Sequence, residues 1–306
     1  MLEFLIQNNI VCHAVEAMLF ASIACSVLGV IITQLNISSI GFTMTHAAFA
    51  GAAAGIFFGL EGTAAAILAS LTIATILGPL SEKARMSTDT ILGVLFGMMM
   101  AVAVFFISYM QYLGSGLNAS ALLFGNVTSL YREEIYALAL ISLVAVLFVA
   151  VFFKEITAII FDRKIAEAAG IRVRPIYYAL LFMIAISVSL SLNIIGGLLL
   201  YVWLVTPAAI AYQFCTTVRG LFLSAPLIAG SVSVVGAWTG LQYSLPVGPL
   251  TAVVFSALFL VAVLLSPKRR VPRGTGGPSS DKSNIHPHKL TKFINLFTHD
   301  LVNDRK

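Results

Sequence analysis

Three side chains within the apolar runs of this 306-residue chain stand out as candidate ligands for a cation: His13, Glu16 and His46. His13 and Glu16 stand three apart, which puts a nitrogen and an oxygen donor on one helix face and makes them a candidate two-ligand metal site. A hydrogen-bonded pair is the competing reading. His46 lies in Gly-Phe-Thr-Met-Thr-His-Ala-Ala, and an ionisable residue in such a run is by default a functional candidate, as a pathway residue or a metal contact, with a structural histidine bonded to a neighbouring helix as the competing reading. Thr45 beside it and Ser39 before it add small hydroxyls that satisfy backbone groups where a chain lines a cavity. Pro207, in Thr206-Pro207-Ala208-Ala209, removes an amide donor and leaves carbonyls to face a pathway or a hinge.

These residues must be positioned by membrane helices. The chain is 59% hydrophobic and 10% charged with a mean hydropathy of +0.98, so it has too few charges to cover a water-facing surface. The fold class expected is all-α, a polytopic bundle. A bilayer crossing needs roughly 20 apolar residues, and that length picks out nine candidate spans. They are 11–32, 42–60, 62–80, 90–109, 135–153, 175–192, 196–212, 221–241 and 249–265.

The charges orient the bundle. An alternating path gathers every basic residue except Arg132 on the side of Lys154, Arg163, Lys164, Arg172 and Arg174, and short basic loops stay in the cytoplasm. The N-terminus is therefore expected outside and the C-terminus inside. The outer side carries Glu3, Glu61, Glu133 and Glu134 against Arg132, an acidic mouth that concentrates cations. The outer segment 111–134 is sized to receive a partner or to act as a passive lid.

Residues 34–41 fall on the cytoplasmic side yet contain no Lys or Arg, which suggests a re-entrant turn that starts the second helix partway through the bilayer and sets His46 near the midplane. That helix carries small residues at every fourth position, Ala47, Gly51, Gly55 and Gly59 after Thr43. Such a stripe lets another helix approach closely and makes this helix central.

The largest polar interruption, Lys154–Arg174, contains a short helix over Phe161–Gly170, with Asp162 as N-cap, alanines favouring helix and Gly170 as the stop. It offers itself to a partner or lies on lipid headgroups. From position 267 the composition shifts to Pro, Gly, Ser and charge, a disordered cytoplasmic tail. The tail ends in an amphipathic helix marked by Leu290, Phe293, Ile294, Phe297 and Leu301. The division expected is a membrane domain, 1–266, and a tail, 267–306. Cys12, Cys25 and Cys215 are too far apart in sequence to indicate a disulfide framework or a metal cluster.

Several stretches together resemble the permease family of bacterial and archaeal ABC importers for zinc, manganese and iron(II). They are Thr45-His46-Ala47-Ala48-Phe49-Ala50-Gly51; Phe161-Asp162 with Ala166 and Gly170; Ile195-Gly196 through Thr206-Pro207-Ala208-Ala209; and Pro246-Val247-Gly248. The likeness runs over residues 11–265. It implies a homodimeric membrane domain of the type II importer kind in the plasma membrane. A pair of ATP-binding subunits carrying ATP and Mg would couple through Phe161, Asp162, Ala166 and Gly170, and an extracytoplasmic metal-binding protein would deliver the divalent cargo. The chain itself would bind no cofactor and no nucleic acid and would not be an enzyme. It has no Gly-rich phosphate loop of the Walker type. Where the family commonly places an aspartate, one turn before the histidine, this chain has Phe42, so His46 would offer a transient, weak contact without a hard oxygen donor.

Two other classes compete. A gradient-driven secondary transporter of a cation or small solute needs intramembrane carboxylates, and Glu16 alone lies well inside a span. An intramembrane enzyme needs a catalytic constellation at one depth, and only His13 and Glu16 form a close pair.

Overall fold

In the computed structural model, the described residues are 9–84, 86–113, 125, 131–197 and 199–267. The tail with its expected terminal helix and most of the outer segment 111–134 lie outside them. The described residues belong to one compact unit. Among the described residues every regular element is a helix: α1 Asn9–Gln34, α2 Ser39–Phe57, α3 Gly62–Ala84, α4 Thr88–Tyr112, α5 Arg132–Val151, α6 Phe153–Phe161, α7 Arg163–Ala168, α8 Val173–Ile195, α9 Leu200–Phe214, α10 Val218–Gln242 and α11 Val247–Leu265. Eight of these are long and apolar enough to cross a membrane; α9, with 15 residues, is a shorter apolar helix of about 22 Å. The nine expected spans thus correspond to eight full-length helices and one short one. The chain is a multi-pass membrane protein.

Three helices form the interior. In α1, α2 and α8 respectively 72%, 78% and 67% of the most apolar window is buried, against 22–33% in α3, α4, α5 and α11. So the helix carrying His46 is central. Helix α1 packs against α10, α5, α9 and α8, while α2 packs against α3 and α4. The outermost helices turn Val94, Phe105, Leu143, Leu147 and Val253 outward, as a lipid-facing surface requires.

Polar contacts show which helix ends share a face. The Asn193 amide near the end of α8 donates to Thr63 Oγ1 (3.0 Å) at the start of α3 and to Glu134 Oε1 (3.3 Å) at the start of α5. On the opposite face the Arg219 guanidinium at the start of α10 lies 5.7 Å over the Phe153 ring just beyond α5, and the Ser266 hydroxyl after α11 donates to the Gln213 carbonyl of α9 at 3.2 Å. The short α9 therefore runs between the same two faces as its neighbours.

The stretch 34–41 is not a long irregular segment. It is a four-residue turn, Leu35–Ser38, and its last three residues already belong to α2. Asn36 takes the left-handed conformation (φ 57°) that the turn requires, which an asparagine tolerates. The Leu35, Ile37, Ile40 and Gly41 amides all donate to nearby carbonyls, so no cavity is needed to satisfy the backbone. His46 lies about 10 Å along α2 from Ser39, close to that helix's middle.

Serines join α3 to α8. Ser70 and Ser189, both fully buried, hydrogen-bond at 2.8 Å, and the Ser70 hydroxyl also lies 3.3 Å from the Ala185 carbonyl. Ser70→Ala and Ser189→Ala are each expected to cost about 1 kcal/mol, with a coupling of roughly 0.6 kcal/mol in the double variant. Thermal unfolding of the four proteins in detergent measures this, and strict additivity would refute the bond.

Candidate functional site

His46 is 3% exposed and sits in a box of rings. Phe42, one turn earlier on α2, stacks on the imidazole with centroids 5.0 Å apart and planes 28° apart. Phe96 from α4 meets both the imidazole (4.7 Å, 87°) and Phe42 (4.7 Å). Tyr201 from α9 closes the far side with its ring edge-on to Phe42 at 4.6 Å. The imidazole Nδ1 lies 2.9 Å from the Phe42 carbonyl. A carbonyl only accepts, so Nδ1 carries a proton, which in the neutral imidazole leaves the lone pair on Nε2. That is the usual arrangement of a metal-ligating histidine, oriented through its other ring nitrogen by a backbone carbonyl.

The rest of α2 holds this ring in place. The Thr45 hydroxyl donates to the Gly41 carbonyl (2.7 Å) and is buried, so it braces its own helix. The Thr43 hydroxyl lies 2.9 Å from both the Ser39 carbonyl and the Leu92 carbonyl of α4, joining the helices that supply His46 and Phe96. Ser39 is half-buried at the first position of α2 and takes part through its carbonyl. On the other flank, Gly51 and Gly55 face α3, where a Cβ at Gly51 would meet the Ala65 carbonyl oxygen at 2.6 Å and one at Gly55 would collide with the Ala65 methyl. Ala47 is fully buried between them and His46. Gly59 departs from the expected stripe. It lies past the end of α2 at φ +71° with nothing within 4 Å of a built Cβ, so it serves the turn and not the packing.

Pro207 is buried on α9, and its neighbour Ala208 clusters with Val30, Ala211, Leu221 and Ala225, away from the ring box. It is Tyr201, six residues earlier, that α9 contributes to the box. His13 and Glu16 do not pair as expected: the Glu16 carboxylate is exposed and accepts from the Cys12 thiol, with Sγ to Oε1 at 3.3 Å. Among the described residues no three His, Cys, Asp or Glu side chains come together as a metal site.

The polar loop contains two helices where one was expected. Helix α6 follows α5 after a break at Phe152 and buries Ile156, Ala158 and Ile159, a spacing already visible in the sequence. Helix α7 begins at Asp162, whose carboxylate accepts from the Lys164 and Ile165 amides at 2.8 and 3.1 Å. It stops at Gly170 (φ +84°), where the Gly170 and Ile171 amides return to the Glu167 and Ala166 carbonyls at 3.1 Å. This is a glycine helix stop with the apolar contact that accompanies it, Ile171 on Ala166. Ala166 is fully buried, whereas Phe161 is 41% exposed, and Arg163, Lys164 and Gly170 also face outward. Leu35, in the turn that leads into α2, packs on the same small cluster of Ala158, Ile159, Ala166 and Val173. One apolar contact thus separates the exposed helix from the turn that starts the histidine helix.

The match to a family model over residues 7–266, described as the ABC 3 transport family, decides the assignment. The chain belongs to this family of ABC transporter permeases. It is 26% identical to the manganese transport system membrane protein MntC of Listeria innocua over 88% of this chain and 95% of that one. It is 24% identical to the manganese import system permease protein ScaB of Streptococcus gordonii (87% and 92%). With the chelated iron transport system membrane protein YfeD of Yersinia pestis it shares 24% (82% and 84%). Among solved structures it resembles PsaBC from Streptococcus pneumoniae in complex with Fab, at TM-score 0.77 and 22% identity over 88% of this chain and 96% of that one. This ABC 3 family chain therefore shares the fold of an importer permease.

Proposed function

We propose that this chain is the membrane-spanning permease subunit of an ATP-driven importer, moving a divalent metal ion, zinc, manganese or iron, delivered by an extracytoplasmic binding protein. The observation that carries the reading is the short link from α7 through Leu35 to the helix of His46. A pair of ATP-binding subunits, holding ATP and Mg, engages Phe161, Asp162, Ala166 and Gly170 on the basic, cytoplasmic face, and movement there tilts or slides α2. Two copies of the chain form the membrane domain in the plasma membrane of a bacterium or archaeon, with the N-terminus outside and the tail inside.

His46 offers the passing ion one neutral nitrogen, and the rings of Phe42 and Phe96 offer only quadrupoles. A single imidazole without a carboxylate binds weakly, as a site that must release its ion requires, and it favours borderline zinc and iron over manganese. Glu16, exposed and engaged with Cys12, is poorly placed to couple an ion gradient through the bundle.

The test is uptake by cells lacking their own metal importers and expressing the chain with its ATP-binding subunit. His46→Ala is expected to reduce uptake at least tenfold, and Phe42→Asp to raise manganese uptake relative to zinc by roughly tenfold. Metal accumulation in liposomes holding this chain alone, driven by a proton gradient, would refute the reading.

A further inference from the structure

Helices α1, α5 and α10 leave between them an open groove of about 900 Å³ on the bundle's outer surface, a ligand-sized volume. Its floor and walls are hydrocarbon, including Leu19 and Val27 of α1, Val149 of α5 and Phe222 of α10. The polar side chains lining it are Arg219 and Ser231. The Ser231 hydroxyl donates to the Leu227 carbonyl of its own helix at 2.7 Å, so it asks nothing of an occupant. Arg219 is exposed at one end of the groove, its guanidinium 5.7 Å over the Phe153 ring, which also lines the groove.

The lining therefore has its charge at one end and hydrocarbon along the rest. From Arg219 to Val235 the groove follows α10 for about 24 Å, so an acyl chain that starts at the charged end has room to run past the middle of a hydrocarbon core of about 30 Å. Arg219 lies on the face that also carries Lys154, Arg163, Lys164 and Arg174, where alternation of the spans collects the positive charge. A guanidinium pairs with a phosphate through two parallel N–H donors, and the stacked Phe153 ring orients it.

We infer that this groove is a binding site for one anionic phospholipid of the inner leaflet, with its phosphate on Arg219 and an acyl chain along α10. The site is separate from the ring box at His46 and does not depend on which ion is carried. Bound there, the lipid fills the space between α5, which leads into α6 and α7, and the central α1.

Native mass spectrometry of the full-length protein, purified in detergent and titrated with phosphatidylglycerol or phosphatidylcholine, tests this. One phosphatidylglycerol is expected to be held more tightly than phosphatidylcholine. Arg219→Gln should weaken phosphatidylglycerol roughly fivefold and leave phosphatidylcholine unchanged. Ala150→Phe, which fills the groove from an exposed position on α5, should displace both. Should a variant fail to fold, the wild type decides alone, because raised salt must then weaken phosphatidylglycerol selectively. Equal retention of the two lipids, or undiminished phosphatidylglycerol binding by Arg219→Gln, overturns the proposal. So does efficient cross-linking of Ser231→Cys between two copies, which would make the groove a contact between copies.

Discussion

Gly29→Leu is expected to leave the chain unable to assemble its helical bundle. A Cβ at this position in α1 would overlap the Leu204 carbonyl oxygen of α9 and lie 2.8 Å from the carbonyl carbon. The obstacle is backbone, and α9 has nowhere to retreat. Its Trp203 is fully buried with its ring 5.7 Å from Phe255 of α11, and the Leu204 side chain already fills the space above Gly41 of α2. Overpacking costs about 1–3 kcal/mol when side chains can yield. Here a helix must move, so the loss is expected to exceed about 3 kcal/mol. The readout is the yield of monodisperse protein in detergent and its thermal unfolding. Gly93→Ala and Gly97→Ala are the controls. Both sites are open in α4, and alanine there is expected to stabilise by up to about 1 kcal/mol by restricting the unfolded chain. A Gly29→Leu protein that melted like the wild type would show that α1 and α9 do not approach so closely.

The second large effect is expected on coupling and not on folding. Asp162→Ala removes the acceptor for two amides at the start of α7, a change worth about 1 kcal/mol. Gly170→Val places a β-branched residue at φ +84°, at a further cost of roughly 1–2 kcal/mol. Helix α7 has six residues and buries only Ala166, so it has little else to hold it. The double variant should melt as a bundle near the wild-type temperature. It should no longer co-purify with its ATP-binding subunit, and its metal uptake should fall at least tenfold. Retained association with normal uptake would remove α7 from the mechanism.

Helix α7 was legible because its determinants are local. An aspartate that caps the first amides and a glycine that accepts a left-handed backbone act within ten residues of one another. The determinants of helix α6 are equally local, but its Ile156–Ile159–Ile160 spacing spans barely two turns and follows the charged Lys154 and Glu155, too short a pattern to separate a helix from a polar loop. The expectation of a re-entrant segment at 34–41 rested on missing charge. Leu35 and Ile37 are half-buried against the bundle, and Leu35 also packs on the cluster of α6 and α7, so packing alone accounts for an uncharged turn.

By itself, the sequence determined the class of solvent, the number and order of the apolar segments, the asymmetry of charge between the two faces and the family. All of these follow from hydrophobic length, basic-residue placement and short motifs, which are properties of the chain read in one dimension. Only the tertiary structure decided which residues surround His46. Phe96 and Tyr201 lie 50 and 155 positions away and carry no local signal. It also decided that Gly29 lies against the α9 backbone where Gly93 faces open space, and that Gly55 packs where Gly59 turns. The physical reason is common to these cases. Inside a bilayer apolar burial does not choose between neighbours, so close approach of particular backbones and individual ring contacts make the choice, and both exist only once the helices are side by side.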